Sequence, residues 1–186
     1  MKKLLLIFCL IFIHSCGRIV CPAFPDKLMT WVDYKKNDVL EYKSLSDTLS
    51  HIVVFNFKSE EWSYKHNNDS ECGAHAGFKT EENKNGYLLI GECHVHSSGS
   101  RIILSYQFVS DTYNDSFWFE YDESKDQYQN LDKVGVTDYE LNGVILSNIG
   151  FIEKTDNKTI KKIYFTSKEG LIAFVDKNNI EWQLVE

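Results

Sequence analysis

Two thiols and three imidazoles fall within one stretch of 25 residues: Cys72, His75, Cys93, His94 and His96. Thiolate sulfur and neutral imidazole nitrogen are the usual protein ligands of zinc and copper. The spacing Cys72-x-x-His75 suits a turn that offers two ligands to one ion. His94 and His96 are two residues apart, so on a strand they share a face, while Cys93 takes the opposite one. All five cannot converge without a bulge. The subset that can is His75, His94 and His96, an open zinc or copper site if the turn folds over the strand.

The same cysteines offer a different chemistry. In an oxidising compartment a disulfide is the default, and Cys21, Cys72 and Cys93 are the three that a processed chain would retain for pairing. The favoured pair is Cys72–Cys93, because Gly73, Gly77 and Asn85-Gly86 can turn the intervening chain back on itself. Closing a loop of about 20 residues contributes roughly 3 kcal/mol in the chain-entropy model. The histidines would then be exposed bystanders and Cys21 a lone thiol.

Other chemistry is thinly represented. Asp111, Asp115, Glu120, Asp122, Glu123 and Asp126 form an acidic run, but the glycine and the ligand spacing of a calcium loop are missing. There is no Gly-x-Ser-x-Gly elbow, no phosphate-cradling loop and no dinucleotide fingerprint. Ser97, Ser98 and Ser100 surround Gly99 in a run that reads as a turn. Trp62, Tyr64, Phe117, Trp118 and Tyr121 sit at strand spacing, where aromatic residues build cores or line ligand surfaces.

The start of the chain supplies an address. Met1-Lys2-Lys3 precedes an apolar run from Leu4 to Ile13, the build of a signal peptide and about half the length of a membrane span. Ile13-His14-Ser15-Cys16 follows and resembles the lipobox of bacterial lipoproteins, with His14 departing from the usual small or aliphatic residue. The resemblance implies cleavage before Cys16 and its modification with diacylglycerol and palmitate-type acyl chains, which hold a protein at the membrane durably. Loss of Lys2 and Lys3 leaves 18 of the 20 basic side chains against 27 acidic ones, a net charge of about −9. Such a surface is a poor partner for nucleic acid and is repelled by anionic lipid.

The elements that must position these groups read as strands. Arg101 to Val109 alternates, with Ile102, Leu104, Tyr106 and Phe108 on one face; Phe117, Phe119 and Tyr121 share another. Ile180, Trp182 and Leu184 alternate at the C-terminus, and the runs 48–58, 61–67, 86–97, 139–147, 159–166 and 170–176 have the same character. Asn67-Asn68, Asn85-Gly86, Ser98-Gly99, Asn142-Gly143, Glu169-Gly170 and Asn178-Asn179 supply turns. This pattern predicts a mainly β protein, a single antiparallel meander forming a barrel or sandwich. One short N-terminal helix is predicted over 25–34, with Leu28, Met29, Trp31 and Val32 on its apolar face. The organisation is then a signal peptide (1–15), a lipidated tether (16–26) and one β-rich domain (27–186).

Cys21-Pro22-Ala23-Phe24-Pro25, with Trp31-Val32-Asp33-Tyr34 and Asn37-Asp38, resembles the start of small uncharacterised lipoproteins of the Bacteroidota. Ile163-Tyr164-Phe165-Thr166, Gly170-Leu171-Ile172-Ala173-Phe174 and Trp182-Gln183-Leu184 are similar to their closing hairpins. The resemblance carries no activity. It implies an outer-membrane address, and the lack of an acid between Cys16 and Asp26 favours the periplasmic side. The expectation is an envelope lipoprotein acting as a non-enzymatic binding or assembly module for a small apolar ligand, a glycan or another envelope protein. The alternative is a metal-binding protein or metal-dependent enzyme built on the histidine cluster.

Overall fold

The computed structural model describes residues 24–35, 37–44, 52–65, 72–83, 86–96, 102–122, 124–125, 127–129 and 133–185, with the side chains of 52–65, 72 and 96 outside that description. The signal segment, Cys16, Cys21 and the Ser-Gly run at 97–100 lie outside the described residues.

Twelve strands follow one another as β1 (Val39–Ser44), β2 (Ile52–Lys65), β3 (Cys72–Thr80), β4 (Leu88–His96), β5 (Ile102–Val109), β6 (Asn114–Asp122), β7 (Gln127–Gln129), β8 (Val134–Leu141), β9 (Val144–Glu153), β10 (Ile160–Thr166), β11 (Gly170–Asp176) and β12 (Glu181–Leu184). Every pairing is antiparallel, and the lateral order is β7-β6-β5-β4-β3-β2-β1-β12-β11-β10-β9-β8. The long β2 joins two sheets: its first part, Ile52 to Asn56, pairs with β1, and Phe57 to Lys65 pair with β3. The chain doubles over there, and the two sheets pack face to face as a sandwich. The predicted β class and meander connectivity are observed.

Alternation explains the packing. β3 to β6 turn Ala74, Ala76, Phe78, Leu89, Cys93, Leu104, Tyr106, Phe108, Phe117 and Phe119 inward, all buried. Ile152, Ile163, Phe165, Leu171 and Phe174 meet them from the other sheet. Phe119 stacks on Phe165 with centroids 4.0 Å apart, and Phe108 meets Phe174 at 5.3 Å. Trp31, buried, adds contacts to Phe119 and Phe165. Aromatic rings thus fill the space between the sheets, each pair adding to its area of burial.

The N-terminal helix differs from expectation. It is a six-residue 3-10 helix, Asp26–Trp31, without a side-chain cap. Its apolar residues Leu28 and Trp31, with Val32, still plug the sandwich, so packing and not helical propensity holds it. Tyr106 donates to the Trp31 carbonyl at 3.3 Å and Tyr42 to that of Leu171 at 2.9 Å. Asp115, also buried, accepts from the backbone N–H groups of Lys158, Thr159 and Ile160, tying β6 to the start of β10. Asp122 accepts from Ser124, Lys125 and Gln129 in its own hairpin. Asp115 and Asp122 of the acidic run thus serve a strand end and a turn.

The run 139–147 is two strands, not one, broken at Asn142 and Gly143, whose φ angles of 49° and 83° make the hairpin turn. The tip of this β8–β9 hairpin curls over the outer side of its own sheet. There Tyr139, Leu141 and Ile149 form a second core with Tyr164, Ile172 and Ala173, and Gln183 donates to Tyr139 and to the Glu140 carbonyl.

Candidate functional site

β3 and β4 carry the chemistry on their outward face. The stretch 72–80 is a strand, not the ligand-bearing turn that Cys72-x-x-His75 suggests. Positions three apart on a strand point to opposite faces, so Cys72 and His75 cannot share an ion. His75 instead sits mid-strand, directly opposite His94 of β4. Their rings stack with centroids 3.8 Å apart and planes inclined by 19°.

Two residues before His94, and on its face, stands Glu92. Its Oε1 lies 3.7 Å from His75 Nε2 and its Oε2 lies 3.9 Å from His94 Nε2. One ligand atom from each of His75, Glu92 and His94 can be chosen so that all three lie within 4.8 Å of one another. The next strand steadies the carboxylate, since Ser105 donates to Oε2 at 3.3 Å and Gln107 does so at 3.1 Å. Opposite Glu92 on β3 is Gly77. A Cβ there would stand 2.8 Å from the Gly91 carbonyl oxygen, so the neighbouring strand's backbone requires glycine at this position.

Burial divides the cluster. His75 is 4% exposed, whereas the side chains of His94 and Glu92 are 26% and 24% exposed. Loss of solvation, reinforced by the adjacent His94 and opposed by Glu92, lowers the His75 pKa to about 4. Glu92 is held below the ordinary carboxylate range, by His94 above all and then by His75 and Ser105, against the burial that raises it. His75 is therefore an uncharged imidazole at neutral pH beside an ionised carboxylate. Two imidazoles and a carboxylate, borne by adjacent strands, can hold a proton, an ion pair or a divalent cation.

The structure brings His75 and His94 together as the sequence suggests. His96 lies one step further along the same face of β4, opposite Gly73, and its side chain is outside the described residues. Glu92 is the residue that sequence reasoning misses; its signal is the spacing Glu92-x-His94-x-His96, three polar groups on one strand face.

The expected Cys72–Cys93 disulfide is not formed, and Cys93 is a free, fully buried thiol. Register explains this. Cys93 pairs with Ala76, and Cys72 stands four residues further along β3, roughly 13 Å away at the rise of a strand. A disulfide spans at most about 7 Å between Cα atoms. Burial pushes the Cys93 thiol up to about 12, which removes it as a nucleophile. Among the aromatics, Phe117 and Tyr121 belong to the core, while Trp118 faces outward, opposite Ser105. No family model, curated protein or solved structure matches this chain.

Proposed function

We propose that this chain is a lipid-anchored protein of the bacterial envelope and a non-enzymatic binding module that works through the outer face of β3, β4 and β5. The observation that carries the reading is the contrast between the two faces of that sheet. Among the described residues, aromatic rings fill the inner face. The outer face gathers His75, Glu92, His94, Ser105 and Gln107 into one contiguous polar array. Polar groups that converge on a rigid scaffold are the usual make-up of a recognition surface.

Two groups in or beside this array are already engaged or inert. The Ser105 hydroxyl already donates to Glu92, and the Cys93 thiol is buried and protonated. The address rests on the signal-like segment 1–15 and on Cys16 in lipobox order. Both support attachment through acyl chains, while the outer membrane and its periplasmic side are what the lineage resemblance and the lack of an acid between Cys16 and Asp26 imply.

Two readouts in one strain test this. In a Gram-negative host fed labelled palmitate, the full chain takes label and sediments with outer membranes, and Cys16→Ser loses both. A photo-crosslinking residue at Ile103, opposite His94, captures a defined envelope component, while the same residue at the exposed turn position Lys177 does not. Absence of label, or equal capture from both positions, overturns the reading.

A further inference from the structure

We propose that the outer face of this sheet binds one divalent transition-metal ion of the zinc class, ligated by the imidazoles of His75 and His94 and the carboxylate of Glu92. This names the ligand of the surface described above and rests on that surface, but not on the lipid anchor.

The donor set comes first. Two neutral imidazoles and a carboxylate suit zinc, cobalt, nickel or copper, whereas magnesium and calcium favour all-oxygen sites. Geometry comes next. Zinc bonds of about 2.0–2.1 Å require tetrahedral ligand atoms roughly 3.3 Å apart. His75 Nε2 lies 3.7 Å from Glu92 Oε1 and His94 Nε2 lies 3.9 Å from Oε2, and one ligand atom from each of the three side chains falls within 4.8 Å of the others. Ligation requires the stacked His75 and His94 rings to turn out of parallel by side-chain rotation so that both nitrogen lone pairs meet at the ion.

The surroundings have the features of a ligand-orienting shell. Ser105 and Gln107 both donate to Glu92, the type of outer contact that fixes a ligating carboxylate. β3 and β4 are paired from Gly73–His96 to Lys79–Ile90, so the two histidines are set by backbone register. The partial exposure of His94 and Glu92 gives the ion access from solvent and leaves a coordination position for water or for a group on a partner.

The experiment uses the processed chain in detergent, carrying a tag without histidine and stripped with a chelator. Cobalt(II) is titrated in first and followed by its visible d–d absorption; zinc then displaces it. One equivalent binds, and neither magnesium nor calcium competes. Glu92→Gln and His94→Gln, both at partly exposed positions that spare the core, weaken zinc binding at least tenfold, while His96→Ala stays within about twofold. Gln107→Ala weakens it by about tenfold, in line with loss of a carboxylate-orienting contact. Far-ultraviolet circular dichroism checks that each variant folds. No cobalt spectrum below millimolar concentration overturns the proposal, as does equal binding by Glu92→Gln. Loss in His96→Ala with Glu92→Gln unaffected overturns the assignment of the third ligand. Metal binding without crosslinking from Ile103 would retain this site and remove the partner-binding function; crosslinking without metal would do the reverse.

Discussion

Acidifying the metal-free protein exposes the cost of keeping His75 uncharged. Its pKa falls from an ordinary 6.5 to about 4 in the fold, chiefly because the ring is buried. Between those values the unfolded chain binds a proton that the folded chain does not, so stability rises with pH across this window. The burial penalty is negligible well above pH 6.5, grows by about 1.4 kcal/mol per pH unit on descent, and levels off below about pH 4. Because His75 is nearly inaccessible, solvent screening removes little of it. Between pH 7.5 and 5 the predicted loss is about 2 kcal/mol. Glu92, whose pKa is lowered, contributes with the opposite dependence: its stabilisation is present above the ordinary value of 4.5 and lost below it. Stopping at pH 5 therefore keeps the two effects apart. The assay is urea unfolding of wild type and His75→Gln at pH 7.5, 6.5, 5.5 and 5, in the presence of chelator. The wild-type advantage is expected to shrink by about 2 kcal/mol across the series. Parallel pH profiles for the two proteins would refute the assignment of His75 as a buried neutral imidazole.

Two further perturbations probe the scaffold. A methyl group at Gly91 would lie 2.2 Å from the Phe78 ring, so Gly91→Ala costs roughly 1–3 kcal/mol by overpacking. Phe78→Ala costs roughly 3–5 kcal/mol; the double variant is expected to be clearly less destabilised than the sum, and additivity in chemical denaturation would reject the contact. Asp115→Ala strands three backbone donors at the start of β10 and is expected to cost roughly 3 kcal/mol. Hydrogen exchange should accelerate first at Thr159 and Ile160; unchanged protection there would reject the tie.

The parts of the fold legible in the sequence are those where one face is large and apolar. Ile102, Leu104, Tyr106 and Phe108 alternate without interruption, and β5 runs as expected; Glu169-Gly170 marks a true turn, with Gly170 at a φ of 68°. β3 was hidden because Gly73, Ala74, Ala76 and Gly77 have little strand character. At position 77 glycine is needed because a Cβ would stand 2.8 Å from the Gly91 carbonyl oxygen. Reading 72–80 as loop hides the pairing of His75 with His94 and leaves a Cys72–Cys93 disulfide plausible. Two histidines of the site were therefore visible by type, but their contact was set by a register that no local pattern reports. Glu92 was hidden by its ordinary appearance on a polar strand face. The observed helix is shorter than the pattern predicts because Leu28, Trp31 and Val32 fit both an α stripe and a plug of 3-10 backbone.

Crystals of the metal-stripped protein soaked in zinc, with diffraction recorded on both sides of the zinc absorption edge, test the central claim most directly. The account predicts one anomalous peak on the outer face of β3 and β4, within about 2.0–2.2 Å of a nitrogen of His75, a nitrogen of His94 and an oxygen of Glu92. A peak elsewhere, or none at these three residues with the site open to solvent, would contradict it.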